Sequence, residues 1–405
     1  MTPQKIIRSY FVIAGLYTLS ASLIWGINTL FLLDAGLDIM GVFIANAVFT
    51  ASMSLFEIPT GVLADTRGRR VSFLLSLAVV FVGTMGYVSV AATGGSLLLF
   101  SLMSVVLGLG YTFYSGAVEA WLVDALNAAG YAQNLDHVFA RGSMVTGAAM
   151  LVGTVGGGLL ANVNLAAPFV VRAGLLAAVF GVAFFTMHDI GFEPRPFTPA
   201  TFVPEMRSIA RASVEYGWRK PPVRLLMVVS FIQYGFIAWG FHAWQPYFLQ
   251  LLGRDAPWVA GVIAALVSLA TIAGNSLVEW FTRYCGKRTT LLLWGAGVLS
   301  AATVGVGLAG QFWPAVGLYL LSMAALGVLQ PVKQAYLHQI IPSEQRATVI
   351  SFDSLVGNGG SVVGQAGLGY LAQTRSLAGG YVVGGAMTLL ALPVLGALRR
   401  LGGAA

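Results

Sequence analysis

Apolar residues fill this chain in long runs, and its polar residues gather between the runs. An apolar run of about 18 residues or more is long enough to cross a bilayer as a helix. Twelve such runs can be drawn, at roughly 10–33, 39–62, 71–92, 96–125, 140–162, 168–188, 224–250, 257–281, 289–310, 314–341, 348–373 and 378–398. Short turns separate most of them. The exception is 189–223, a polar stretch holding six of the fifteen prolines. The pattern predicts an all-α integral membrane protein of twelve transmembrane helices. Two six-helix halves, 1–188 and 224–405, are joined by a linker at 189–223. Inside the linker, Phe202, Met206, Ile209, Ala210 and Tyr216 share one helical face, opposite Arg207, Ser208, Arg211 and Glu215. That spacing predicts an amphipathic helix on the inner leaflet, serving mainly as a tether.

The turn between the second and third runs reads Gly61-Val62-Leu63-Ala64-Asp65-Thr66-Arg67-Gly68-Arg69-Arg70. Gly61 lets another helix approach closely, and Gly68 can take the left-handed conformation of a tight reversal. Asp65, Arg69 and Arg70 place a charge cluster at the membrane face. The decapeptide resembles the loop between helices two and three of the major facilitator superfamily, Gly-x-Leu-Ala-Asp-x-x-Gly-Arg-Arg, at every fixed position. The preceding Phe56-Glu57-Ile58-Pro59-Thr60 is similar to bacterial efflux-type members. The resemblance implies two pseudo-symmetric halves that work by alternating access. It also implies that Asp65 packs at the start of span eleven, near Asp353, and that Arg69 reaches Asp124 at the end of span four. An arginine in the middle of span four, frequent in proton antiporters of the family, is missing between Leu97 and Ala117.

Internal repetition agrees with two halves. Asp65-Thr66-Arg67-Gly68-Arg69-Arg70 corresponds to Arg283-Tyr284-Cys285-Gly286-Lys287-Arg288, and Glu119-Ala120-Trp121-Leu122 to Gln334-Ala335-Tyr336-Leu337. The spacing in both cases is roughly 215 residues.

Composition sharpens the class. Hydrophobic residues make up 57% of the 405 and charged residues 9%, against about 25% charged in soluble domains. The formal net charge of +7 would suit nucleic acid, but the basic residues follow one membrane side instead. Lys5, Arg8, the Arg67–Arg70 turn, Arg141, the linker, Arg283, Lys287, Arg288, Arg346, Arg399 and Arg400 fall together. Arg172, Arg254 and Arg375 lie opposite, each near a helix end. By the positive-inside rule both termini are expected in the cytoplasm, and the resemblance to bacterial efflux-type members implies a bacterial inner membrane. The apolar run after Lys5 and Arg8 reaches Leu33, too long for a cleaved signal, so a retained first helix is expected. The lone Cys285 excludes an internal disulfide. His137, His188, His242 and His338 are scattered, so no metal is expected. No nucleotide loop or catalytic constellation appears, so neither cofactor nor enzymatic activity is expected.

Charges inside membrane spans point to function. Proton coupling needs a group charged in one state and neutral in the other, which a carboxylate taken out of water can be. Glu119 in span four is the first candidate, with Lys333 in the equivalent span ten as its partner in one conformation and Glu57 in reserve. By the family resemblance, spans one, four, seven and ten line the cavity. Their polar and aromatic content is Trp25 and Asn28, then Tyr111 and Tyr114, then Gln233, Tyr234, Trp239, His242 and Gln245, then Gln330 and Tyr336. Aromatic faces of this kind suit an amphipathic molecule. Trp244 and Tyr247 are expected in the interfacial belt. The glycines of span five, Gly147, Gly153 and Gly156 to Gly158, resemble the glycine-rich motif of exporters, without its proline. The resulting expectation is a monomeric exporter of small amphipathic compounds driven by protons. Uptake of a metabolite or lipid is the alternative, with Lys333 holding a carboxylate or phosphate. A membrane receptor or enzyme would need a catalytic or extracellular domain, which the sequence lacks.

Overall fold

The structure is a computed structural model, described over residues 1–194, 211, 213–342 and 345–401. Its described residues fold into helices in the order α1 Pro3–Ser22, α2 Asn28–Asp34, α3 Ile39–Arg67, α4 Arg69–Ala92, α5 Leu97–Tyr114, α6 Ala117–Ala128, α7 Asp136–Ala161 and α8 Ala167–Thr186. After a π-helical turn at Ser213–Trp218 come α9 Pro221–Leu252, α10 Pro257–Ser276, α11 Val278–Cys285, α12 Arg288–Leu308, α13 Phe312–Ile340, α14 Arg346–Thr374, α15 Leu377–Leu389 and α16 Ala391–Leu401. In a bilayer only closed hydrogen-bonding patterns survive, which is why the apolar runs become helices. Ten of the helical segments among the described residues are long and apolar enough to cross a membrane by length and composition. The first and eleventh predicted runs are helical but outside that set. α1 carries Lys5 and Arg8, and α14 is rich in Gly, Ser, Asn and Gln. Most of the predicted amphipathic linker helix lies outside the described residues, and its described end is the π-helical turn.

Four predicted spans are interrupted. The first breaks at Leu23–Ile27, between α1 and α2. The fourth breaks between α5 and α6, where Gly116 is left-handed at φ 71°. The eighth breaks at Leu277. The twelfth breaks at Leu390, three residues before Pro393, whose ring clashes with the carbonyl one turn back.

By contacts the chain divides into two units. The first holds Met1–Leu37, Val48–Phe197 and Ala256–Ala265; the second holds Asp38–Ala47, Thr198–Asp255 and Leu266–Ala405. In the first, α1 packs on α7, and α4 packs on α5 and α8. In the second, α9 packs on α14, and α12 packs on α13 and α15. Counted by predicted span, these are the same pairings: one on five, three on four, three on six, repeated six spans later.

Helix association in lipid depends on close backbone approach, because there is no apolar surface to hide from water. In the first unit, a Cβ on Gly153 or Gly157 of α7 would strike Ser22 or the Leu23 carbonyl at the end of α1. In the second, a Cβ on Gly360 or Gly364 of α14 would strike the carbonyls of Phe231 or Gly235 on α9. Part of the span-five glycine motif is thus engaged in packing, while Gly147 and Gly156 face open space. Two expectations fail here. Trp244 and Tyr247 are 2% and 3% exposed, and the Tyr247 hydroxyl donates to the Val306 carbonyl at 3.1 Å, so both belong to the core rather than a belt. Gly61 has nothing within 4 Å of a Cβ among the described residues, so no described helix makes a close approach there.

Gly364→Ala should lower the unfolding temperature of the purified protein, at the roughly 1–3 kcal/mol typical of overpacking. Gly367→Ala on the same helix, where a Cβ meets nothing within 4 Å, should not. Thermal unfolding of the two variants in detergent checks this.

Candidate functional site

The α3–α4 turn is built around Gly68, at φ 105°. A side chain there would be strained, and its Cβ would run into the carboxylate of Asp189. That carboxylate accepts the backbone N–H of Arg70 at 2.9 Å. The Arg70 guanidinium donates to the Phe184 carbonyl at 2.8 Å and lies over the Phe184 ring at 5.0 Å. Arg69 binds Asp65 at 2.6 Å and approaches Asp124 at 4.0 Å. Trp121 donates to the His188 carbonyl at 2.7 Å, and Gly191 packs on the Asp124 carbonyl. The segment after α8 therefore clasps the turn from one side. The sequence reading missed Asp189, which is an isolated acid just past a span end and belongs to no motif. The Arg69 pairs are partly exposed, at 24% for Arg69 and 41% for Asp65, and such pairs contribute about 0–1 kcal/mol each. The steric demand at Gly68 is the larger effect.

The second unit contains a buried ion pair. Lys333 on α13 and Asp353 on α14 are each 7% exposed, with Nζ and Oδ2 2.7 Å apart. Ser230 on α9 donates to Asp353 Oδ1 at 2.6 Å and also accepts from Lys333 Nζ. Lys333 lies 5.7 Å from the centre of the Tyr234 ring, and the Tyr234 hydroxyl donates to Gln330 at 3.4 Å. A cavity of about water size beside Lys333 is lined by Gln233 and Gln330 together with Leu226, Leu329 and Leu395. Sequence-named Gln233, Tyr234, Gln330, Lys333 and Asp353 thus come together on three helices. The pairing of Lys333 with Asp353 was not foreseen, since no spacing links residues on different spans.

The other named residues are placed differently. Trp239 is fully buried among Phe43, Phe236 and Tyr381, and Tyr336 sits in the apolar core with Leu337, Val349 and Leu395. Gln245 is buried, and Trp25, Asn28 and His242 are half-buried. Glu57 is exposed. Glu119 is half-buried in the first turn of α6, where the helix dipole favours a negative charge. Among the described residues no cluster could hold a metal. Arg172, expected near a helix end, is instead 2% exposed within the first unit. A signal for this existed: Phe169, Ala173 and Leu176 flank it on one helical face, and all are buried.

The family model for the Major Facilitator Superfamily matches residues 10–281 and 257–402. The chain belongs to the major facilitator superfamily. It is a multi-pass membrane transporter of that superfamily. Over 401 residues it is 22% identical to the uncharacterized MFS-type transporter YxaM of Bacillus subtilis (strain 168), covering 97% of this chain and 94% of that one. It is 29% identical over 150 residues to the inner membrane transport protein RhmT of Escherichia coli (strain K12), a match spanning 33% of RhmT and 36% of this chain. Its fold is similar to the nucleoside transporter NupG, with a TM-score of 0.80 at 10% identity over 98% of this chain and 99% of that one. It is also similar to a bacterial homologue of the iron transporter ferroportin, at 0.78 and 14% over 98% and 99%. Such low identities show the fold alone.

Removing one member of a buried pair strands the other charge, at a cost of about 3–5 kcal/mol. Lys333→Ala and Asp353→Ala should each destabilise the protein strongly, whereas Lys333→Met combined with Asp353→Leu should be close to wild type in unfolding temperature. Gly68→Ala should reduce transport far more than Asp65→Asn, as judged by flux per folded molecule.

Proposed function

We propose that this transporter exports small amphipathic organic compounds in exchange for protons, and that the proton acts on the Lys333–Asp353 pair. The observation that carries the coupling reading is the burial of that pair with Ser230. In one state Asp353 is charged and held by Lys333. In the other, a proton on Asp353 cancels its charge and frees Lys333, so proton binding and helix rearrangement become one event. Glu119 remains the second candidate, favoured by its place at a helix start. Export is supported by the likeness of residues 56–70 to efflux-type members and by the glycine-rich α7. On the positive-inside pattern both termini are cytoplasmic in a bacterial inner membrane, and the unit of transport is a monomer. No cofactor or nucleic acid takes part.

The test is flux of a compound panel in proteoliposomes with and without a proton gradient. Wild type should move at least one compound against its concentration gradient, toward the side that supplies the protons. Asp353→Asn should lose this uphill movement yet keep substrate exchange, and Glu119→Gln should keep both. If Asp353→Asn still concentrates the compound and Glu119→Gln does not, the coupling group is Glu119. If no flux responds to the gradient, proton coupling is wrong.

A further inference from the structure

Among the described residues, two cationic side chains on the helices are almost wholly buried, and they differ in one respect. Lys333 is neutralised by Asp353 at 2.7 Å. Arg172, 2% exposed, has no ion-pair partner among the described residues. One of its nitrogens donates to the Tyr111 hydroxyl at 3.1 Å, and its guanidinium carbon lies 5.8 Å from the Tyr111 ring centre. Its Nε is buried without a hydrogen-bond partner, and the Tyr17 hydroxyl is buried beside Ser76. A charge removed from water without a counter-ion is strongly disfavoured, and in a membrane such a group marks a ligand or ion path. A ring face and one hydroxyl offset only part of that cost.

The surroundings define what would balance it. Tyr17 and Tyr114 stack with centroids 4.0 Å apart and planes at 16°. Phe49 meets Tyr111 edge-on at 5.4 Å. The cation therefore lies against the Tyr111 ring, which Phe49 flanks in turn, with a guanidinium N–H left to donate. A guanidinium fork matches a carboxylate or phosphate with two parallel hydrogen bonds. Tyr114 is the last residue of α5, directly before the break at Ser115–Gly116. One wall of the cluster is thus a helix end rather than a continuous helix, and it can move without breaking a hydrogen-bonded ladder.

We propose that Arg172, with the Tyr111 hydroxyl, binds the anionic group of the transported compound, and that the compound is an aromatic organic anion. This rests on the transport reading above and names the chemical class of its substrate. It differs from one alternative drawn from the sequence: in this structure Lys333 is paired with Asp353, whereas Arg172 is the buried cation without an acid among the described residues.

The test is binding in detergent with no proton gradient, so that a failure of coupling leaves it untouched. Thermal unfolding is followed with benzoate, phenyl phosphate and the neutral isostere benzamide. Benzoate or phenyl phosphate should raise the unfolding temperature of wild type in a saturable way, and benzamide should not. Arg172→Gln should abolish the shift. Arg172→Lys, which keeps the charge but not the fork, should need at least about tenfold more ligand, and it decides the matter if the Gln variant does not fold. The proposal is overturned if neither anion protects wild type. It is equally overturned if benzamide protects as well as benzoate, or if the Arg172 variant that folds binds as tightly as wild type.

Discussion

A charge moved from water into a hydrocarbon layer must be paired, spread over hydrogen bonds, or lost, because the solvation it gives up is worth several kcal/mol even after relaxation. This chain meets that constraint differently at each place where it carries charge among its helices. At the α3–α4 turn the arginines stay half-exposed and are held by Asp65, Asp189 and the Phe184 carbonyl. Between α13 and α14 the charges are buried and satisfy each other, with Ser230 contributing to both. At Arg172 the charge is buried and only partly compensated. The three sites differ in how much depends on them. The turn is shaped by sterics at Gly68, the pair fixes three helices together, and the lone arginine leaves attraction unspent.

The packing of the helices makes these charge sites possible. With glycines of α14 against α9 and of α7 against α1, backbones approach within van der Waals contact and leave little room for lipid or water. Ser230 sits on α9 close to that contact, so the separation that sets its hydrogen bond to Asp353 is set by Gly360 and Gly364 against their carbonyls. The same pairing of helices recurs in both units, yet the charges do not recur. The first unit holds Arg172 without an acid, and the second holds Lys333 with one. The scaffold repeats, and the chemistry placed on it does not.

Much of this was legible in the sequence. Apolar run length located the helices, with ends off by up to seven residues at α1 and five at α3, because membrane length and the backbone's need for internal hydrogen bonds leave few alternatives. The turn around Gly68 was legible because its conformation is local. The helix breaks were harder. Pro393 announces the one at Leu390, but Gly116 is one of 50 glycines and nothing local distinguishes it. Least legible were contacts between distant spans. Lys333 and Asp353 each stood out as intramembrane charges, yet their pairing depends on how α13 and α14 lie across α9. Arg172 was assigned to a helix end because it is the sixth residue of α8, and its inward turn was legible only through the apolar Phe169, Ala173 and Leu176 that share its face.

The central claim is that Asp353 exchanges Lys333 for a proton. Infrared difference spectroscopy on the membrane-reconstituted protein tests it most directly, by following the protonated-carboxyl band as pH is lowered and substrate withdrawn. The account predicts a band that appears on protonation and is missing in Asp353→Asn. A band that persists unchanged in Asp353→Asn, or no protonated carboxyl at any pH at which transport runs, would contradict it.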